Sequence, residues 1–378
     1  MRTARPPDGA RPRSPQGEAT SVNDVALAAT QPSGADWYGP AMAARGDWVE
    51  QLTVAQWDEL GQLAGRLCAS GADLTALRAA DLPLPLLEPR LRTVLTEVLA
   101  GRGFALLRGM PVGDWGRRRA AVAFMVLGAH LGTARPQNAQ GHLLGHVRDM
   151  GLSSTDPNVR IYQTHERQTF HTDSCDLVAL LCLQTARSGG RSALVSSTTL
   201  FKEMYRRRPD LAAALFQPLA TDRRGEVGPG QAPFFTIPVL TWWPPGPAGQ
   251  LSAIYQRQYI DSAQRHPDAP RLSPLQIEAL DLFDALSNDP TLHFLMDLAP
   301  GDIQLVHNHT LLHDRTAFED CHEPTQRRHL LRLWLAPATA RPLAPVFAQR
   351  YGSTRPGARG GVNLPTARLH VPLEGVPP

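Results

Sequence analysis

His171-Thr172-Asp173 places an imidazole and a carboxylate two positions apart. On an extended segment side chains alternate, so both would project from one face. His313 lies 140 residues beyond Asp173 and would bring a third donor from a distant strand. Two histidines and one carboxylate on one triangular face of an octahedral metal leave the opposite face open, the arrangement expected of a non-haem Fe(II) oxygenase. Arg328 and Arg332 are four residues apart. On a strand they share a face, about 13 Å apart by the rise of an extended chain, and can hold anions beside the metal.

A His-x-Asp triplet alone occurs by chance, and a single histidine is more often a hydrogen-bonded structural residue than a ligand. The surrounding elements change that balance. Phe170 precedes the triplet, and Leu177 to Leu183 is an apolar run suited to a fully buried strand. Gly189-Gly190 marks a tight turn before Ser192-Ala193-Leu194-Val195, and Pro300-Gly301-Asp302 launches the strand Ile303 to Val306. Asn308 follows, then His313 at the mouth of a loop, and Arg328 to Leu335 mixes basic and apolar positions. His307, His309, His322 and His329 compete for the third-ligand role. His307 and His309 suit structural roles, and His329 would point opposite to Arg328. Cys175 is read as a small apolar filler.

These segments resemble the TauD/TfdA-type family of Fe(II)- and 2-oxoglutarate-dependent dioxygenases, which includes clavaminate-synthase-like enzymes. The matching pieces are His171-Thr172-Asp173, Gly189-Gly190-Arg191-Ser192, Pro300-Gly301-Asp302, Asn308 through His313, and Arg328 through Arg332. The resemblance spans roughly residues 95 to 340 and is thin before that. It implies an α+β fold with a double-stranded β-helix (jelly-roll) core, flanking helices and a long insertion. It also implies that His171, Asp173 and His313 bind Fe(II) and that Arg328 binds the distal carboxylate of 2-oxoglutarate. Ser192 stands where the family often has a threonine hydroxyl assisting that carboxylate; serine keeps the hydroxyl and loses the methyl. Arg332 matches a residue that often faces an anionic group of the primary substrate, and its alternative is a permanent salt bridge to Asp302 or Asp314.

The implied reaction uses O2 and 2-oxoglutarate, releases succinate and carbon dioxide, and oxidises a C–H bond of a small, anionic molecule such as an amino acid or other carboxylate. Halogenases of the superfamily replace the carboxylate ligand with a small residue; Asp173 is present, so hydroxylation is the default, with desaturation or cyclisation open at the same iron. Two other classes compete. A zinc hydrolase accepts the same ligands but leaves Arg328 and Arg332 unexplained. A non-catalytic jelly-roll binding protein would be expected to have broken a ligand, and none is broken. Arg160 and Arg257 are further cations to consider, each read first as a surface or salt-bridged residue.

Lys and Arg number 38 against 35 Asp and Glu, a net charge of +3 that calls for neither nucleic acid nor an anionic membrane surface. Four cysteines without a C-x-x-C pair suggest a reducing, cytoplasmic setting. No run approaches the ~20 apolar residues of a membrane span. Residues 1–35 read as a disordered tail, because prolines at 6, 7, 12 and 15 oppose the amphipathic helix of a transit peptide. Residues 36–378 read as one oxygenase domain, since the ligands must meet in one barrel. Helical periodicity covers Leu52 to Leu67, Leu91 to Leu99 and Ala120 to Leu131, and Phe104 to Arg108 reads as the first core strand. The helical N-terminal region could serve a homo-oligomer interface. Residues 134–160 read as loop over the site. Thr198 to Ala299 is a long insertion, helical near 198–216 and 273–288, around an aromatic segment from Pro233 to Pro244. Such insertions shape substrate sites, although Trp242 and Trp243 are read first as secondary core.

Overall fold

The computed structural model describes residues 20–153 and 160–374. Eleven strands position the candidate residues: β1 (Val49–Gln51), β2 (Phe104–Arg108), β3 (Thr133–Arg135), β4 (Leu144–Val147), β5 (Gln168–His171), β6 (Leu177–Gln184), β7 (Ser192–Ser196), β8 (Phe294–Met296), β9 (Ile303–His307), β10 (Leu311–Arg315) and β11 (His329–Ala336). The larger sheet runs β1-β2-β9-β6-β11-β3, with β4 also paired to β11. The smaller runs β8-β7-β10-β5. Apart from β1 against β2, all these pairings are antiparallel.

Period-two alternation explains how one strand serves both a core and a site. On β6, Leu177, Ala179 and Leu181 pack outward with Leu331, Leu333 and Leu335 of β11, against helices Val54–Ser70, Glu88–Ala100 and Val112–Leu131. The alternate residues, Leu330, Arg332 and Trp334, face the other way, toward the interior between the sheets. The three predicted helices are therefore present, each longer than its apolar stripe. The last is interrupted at Gly116, whose φ of 70° is not helical.

Two readings change. The tail expected to be disordered to residue 35 carries a helix over Val22–Thr30. Ser21 and Asp24 form a capping box, and Val25 and Ala28 pack on Leu200, Phe201 and Met204. Residues 1–19, with the arginines that raised a targeting segment, lie outside the described residues. His313, expected at a loop mouth, sits inside β10.

The insertion contains helices Ser197–Arg207, Pro209–Ala214, Arg257–Ala263 and Pro274–Ser287, with hairpins of Leu219–Asp222 against Phe234–Ile237 and Leu240–Trp243 against Gln250–Ala253. Trp242 joins a second core with Phe201, Tyr255 and Phe283. Trp243 packs partly buried against Phe347 and Tyr351. Among the described residues, no helix is long and apolar enough to cross a membrane.

Beyond β11 the chain returns beneath the triplet. Arg359, fully buried, donates from Nε to both oxygens of the equally buried Asp176, at 2.9 and 3.1 Å. His309 Nε2 reaches the same carboxylate at 2.8 Å. Removing one partner of a buried pair strands the other charge, at about 3–5 kcal/mol. Arg359→Met should lower the unfolding free energy by that amount, read by urea denaturation.

Candidate metal centre

Antiparallel register brings the two histidines together. His171, the last residue of β5, is the direct cross-strand partner of His313 on β10, and their ring centroids are 4.2 Å apart. Asp173 lies just past the strand end rather than on it. Its position comes from two clamps instead of simple alternation. Thr172 N donates to Tyr255 O at 2.8 Å, and Asp173 N donates to Asn308 Oδ1 at 3.0 Å. One donor atom from each of His171, Asp173 and His313 lies within 4.8 Å of the others, and all three residues are buried. His171 Nε2 is 3.8 Å from Asp173 Oδ1, and His313 Nε2 is 3.9 Å from Asp173 Oδ2.

Protonation suits a metal. Burial holds His171 below the usual histidine range and pushes His313 down to about 3, aided by the neighbouring His171. Both are neutral donors near neutral pH. His171 Nδ1 donates to Thr169 O at 2.8 Å, which leaves Nε2 as the nitrogen with the lone pair, and the Gln168 amide Nε2 donates to it at 2.9 Å. Burial alone would raise the Asp173 carboxyl, but Arg332, His313, His171 and the Trp334 hydrogen bond hold it below the usual range. Two neutral imidazoles and one ionised carboxylate fit a divalent cation.

Around that carboxylate stand Arg332, expected to face the substrate, and two residues that the sequence left unassigned, Trp334 and Gln137. Trp334 Nε1 donates to Asp173 Oδ2 at 2.7 Å, and Arg332 Nη1 reaches the same oxygen at 3.2 Å. Arg332 Nε donates to Gln137 Oε1 at 2.7 Å. Arg332 is thus paired with a buried acid, but neither of the two expected ones: Asp302 pairs with Arg108 and Asp314 with Arg167. It still lines the cleft beside the triad. Trp334 was legible only as a strand residue. Its spacing of two from Arg332 is the signal that could have placed it on the inner face.

A small cavity adjoins His171 and His313 and is lined by Arg328, Ser192, Arg315, Leu180 and Leu298. Arg328 Nη1 is buried without a hydrogen-bond partner, and burial pushes this guanidinium down to about 10. Its plane lies over Phe318. Gly190, at φ +69°, makes room: a Cβ there would stand 2.9 Å from Arg328 Nε. Ser192 Oγ is engaged by the Gln304 amide, at 3.1 Å to Oε1 and 2.9 Å to Nε2. Arg315, which the sequence reading passed over, is pushed down to about 9 by burial and by Arg328, and donates to Thr164 O and Glu166 O. Among the described residues, neither Arg315 nor Arg328 has a carboxylate within salt-bridge distance. A cavity with two such cations is built for an anion.

The other histidines are occupied elsewhere. His307 Nδ1 meets Thr310 Oγ1 at 2.7 Å, and His329 Nε2 lies 2.8 Å from His146 Nδ1. Arg257 pairs with Asp261, Asp281 and Asp284. Cys175 is buried, its Sγ accepting from Asn308 Nδ2 at 3.2 Å, so it braces the clamp on Asp173.

Residues 70–334 match the model of the family described as taurine catabolism dioxygenase TauD, TfdA family. FR-33289 synthase of Streptomyces rubellomurinus is 30% identical over 305 residues, 79% of this chain and 88% of that protein. The taurine hydroxylase-like protein SAT17 of Stachybotrys chartarum is 28% identical over 307 residues, 79% of this chain and 77% of the relative. Among solved structures, an asparagine oxygenase in complex with Fe(II), 2S,3S-3-hydroxyasparagine and succinate superposes with a TM-score of 0.58 at 17% identity, covering 76% of this chain and 93% of that one.

Two outcomes follow from this geometry. Trp334→Phe removes a hydrogen bond that orients the carboxylate, and such losses typically cost ten- to a hundredfold in metal affinity; competition with a fluorescent chelator should show a drop of roughly that size. His329 is pushed by burial to about 3, against 6.5 for the free side chain. Between those values the unfolded chain binds a proton that the folded chain does not. Stability is therefore full above about pH 6.5 and falls as pH drops through the window, by up to ~1.4 kcal/mol per pH unit for this one group. His329→Gln should flatten that slope in urea titrations run at several pH values.

Proposed function

The chain belongs to the TauD/TfdA family of dioxygenases, and we propose that His171, Asp173 and His313 hold its Fe(II) while Arg328 receives the distal carboxylate of 2-oxoglutarate. As a member of that family it is an Fe(II)- and 2-oxoglutarate-dependent oxygenase. We read the two sheets that enclose the triad as the double-stranded β-helix of such enzymes, and residues 36–378 as one unit built on it. The observation that carries the cosubstrate assignment is the buried, unpartnered Nη1 of Arg328 in the cavity beside the two histidines. A zinc hydrolase has no use for that cation.

Bound at this site, Fe(II) with 2-oxoglutarate and O2 supplies the oxidising chemistry, with succinate and carbon dioxide as coproducts. The chain's own contribution is placement. Phe318, Gly190 and the carbonyls around Arg315 position the two guanidinia, neither of which meets a carboxylate among the described residues. Ser192 adds a hydroxyl to the same cavity, shared with Gln304. Leu180, Leu298 and Leu330 exclude water from its walls. Arg332 and Trp334 keep Asp173 ionised and oriented toward the histidines. The primary substrate, a small anionic molecule such as an amino acid or other carboxylate, enters by the wider cleft on the other side of Arg332. That cleft opens onto His171 and Asp173. The oxygenase that shares this fold was solved with a hydroxylated amino acid and succinate, which supports a small substrate and a 2-oxoglutarate product lodged together.

Succinate release in the presence of Fe(II), ascorbate and 2-oxoglutarate tests the reading. His313→Ala should abolish turnover with the circular dichroism spectrum and melting behaviour retained. Arg328→Gln loses a charge-assisted pair of about 1.5–3 kcal/mol. Its apparent KM for 2-oxoglutarate should rise roughly ten- to a hundredfold; an unchanged KM would remove Arg328 from the cosubstrate site.

A further inference from the structure

The wide cleft beside the triad has a second, outer pole made by the loop before β5, the insertion and the segment after β11. Arg160, Arg223 and Arg350 line it together with His171, Asp173 and Arg332. Their neighbours hold each one in place. Arg223 and Arg350 lie over the Phe235 ring, and Arg160 lies over Tyr259, whose hydroxyl accepts from Arg160 Nη1. Arg350 Nε donates to Ser174 Oγ at 2.8 Å, next in the chain to Asp173. Stacked and tethered guanidinia lose little freedom when an anion arrives.

The charges do not balance. Among the described residues three carboxylates line the cleft: Asp173, Asp222 and Glu226. Asp173 answers Arg332 and the triad. Asp222 is engaged by Arg265 at 3.0 Å, His266 at 3.4 Å, Ser262 at 2.8 Å and the Arg224 backbone N–H at 2.8 Å. Glu226 remains, with Oε1 2.6 Å from Arg160 Nη2 and Oε2 3.6 Å from Arg350 Nη2. Arg223 is 8% exposed, and its hydrogen bonds go to the carbonyls of Ala232 at 3.2 Å and Gln349 at 2.6 Å. Arg224 also lines the cleft and has partners of its own, so it is left out of this sum. Among the described residues, three cations against one carboxylate leave an excess of two positive charges in a largely buried wall. A buried excess of that kind is costly unless a ligand meets it.

We infer that this outer pole binds a dianionic phosphoryl headgroup, a phosphate monoester or a phosphonate, carried by the primary substrate. The inference rests on the oxygenase reading, since it supposes that what enters this cleft is the molecule to be oxidised. A carboxylate or sulfonate carries one negative charge and would leave one cation unmet. A phosphoryl dianion meets both, and its three terminal oxygens can take bonds from guanidinia on different sides. Its placement on Arg160, Arg223 and Arg350 leaves Arg332 with Asp173, so the metal ligand need not give up its partner when substrate binds. The substrate would then span the cleft, with its charged end on the insertion and its reacting carbon toward His171 and Asp173.

Calorimetry on the protein loaded with Fe(II) and 2-oxoglutarate without oxygen tests this. The probes are methyl phosphate, methylphosphonate, methanesulfonate and acetate. The two phosphoryl probes should bind at least roughly tenfold more tightly than the other two, and whichever of them is tighter tells ester from phosphonate. Affinity for methyl phosphate should rise with pH through about 6, where the dianion forms, while methanesulfonate stays flat. Arg223→Gln should weaken the phosphoryl probes roughly ten- to a hundredfold and leave 2-oxoglutarate affinity unchanged. Because that change also removes bonds to two carbonyls, Glu226→Gln serves as the second variant; it deletes the opposing charge and should tighten phosphoryl binding. Equal or tighter binding of acetate or methanesulfonate, or a Glu226→Gln variant with unchanged or weaker phosphoryl affinity, overturns the inference. Failure of the loaded protein to bind 2-oxoglutarate at all would instead overturn the oxygenase reading, so the two failures are distinguishable.

Discussion

A buried, ionised carboxylate at Asp173 sets conditions on the rest of the molecule. Stripped of water, such a charge is costly unless nearby donors and cations replace the lost solvation. Here the replacement comes from Arg332 and Trp334 on β11, which donate to the carboxylate, while Asn308 after β9 accepts the Asp173 backbone N–H and the imidazoles of β5 and β10 stand 3.8 and 3.9 Å from its oxygens. Each of those elements belongs to a different stretch of chain. Gathering them around one residue fixes how the two sheets sit against each other at this point. A divalent metal would complete the same arrangement, because it adds positive charge where the donors already converge.

Behind this centre the structure spends further buried charge on holding the backbone. Asp176, three residues past Asp173, collects Arg359 and His309. Asn308 donates its backbone N–H to Asp176 O, and its side-chain Oδ1 accepts the backbone N–H of Asp173. The loop that carries the metal carboxylate is therefore anchored on both sides of the triplet. Such anchoring matters for catalysis by placement, where small errors in position are expensive.

The cations in front of the centre divide by depth. Arg328 and Arg315 face the small cavity beside the histidines, Arg332 stands at the carboxylate, and Arg160, Arg223 and Arg350 form the far wall of the wide cleft. Aromatic rings back most of them: Phe318, Tyr162, Trp334, Phe235 and Tyr259. The insertion thus contributes more than a secondary core. Trp242 does serve that core, but Phe235 and Tyr259 present arginines to the cleft.

How much of this was legible in the chain follows from the range of the forces involved. Strand alternation is local, so the inner face of Arg332 and the buried run at Leu177 could be read from order alone, and the triplet with His313 and Arg328 stood out through resemblance to a known family. Local signals misjudged the edges: the capping box at Ser21 makes a helix where composition suggested a tail, and His313 lies within a strand. What no local pattern carries is partnership between residues far apart in sequence. That Arg332 faces Asp173 rather than Asp302 or Asp314, that Trp334 shares the same oxygen, and that Arg223 meets no carboxylate among the described residues are results of which segments the sheets and insertion bring together. Sequence determined the residue types and the alternation that points them inward. Only the tertiary structure decided which charges meet and which are left over, because electrostatic pairing depends on distance in space and on burial, and neither is a property of position along the chain.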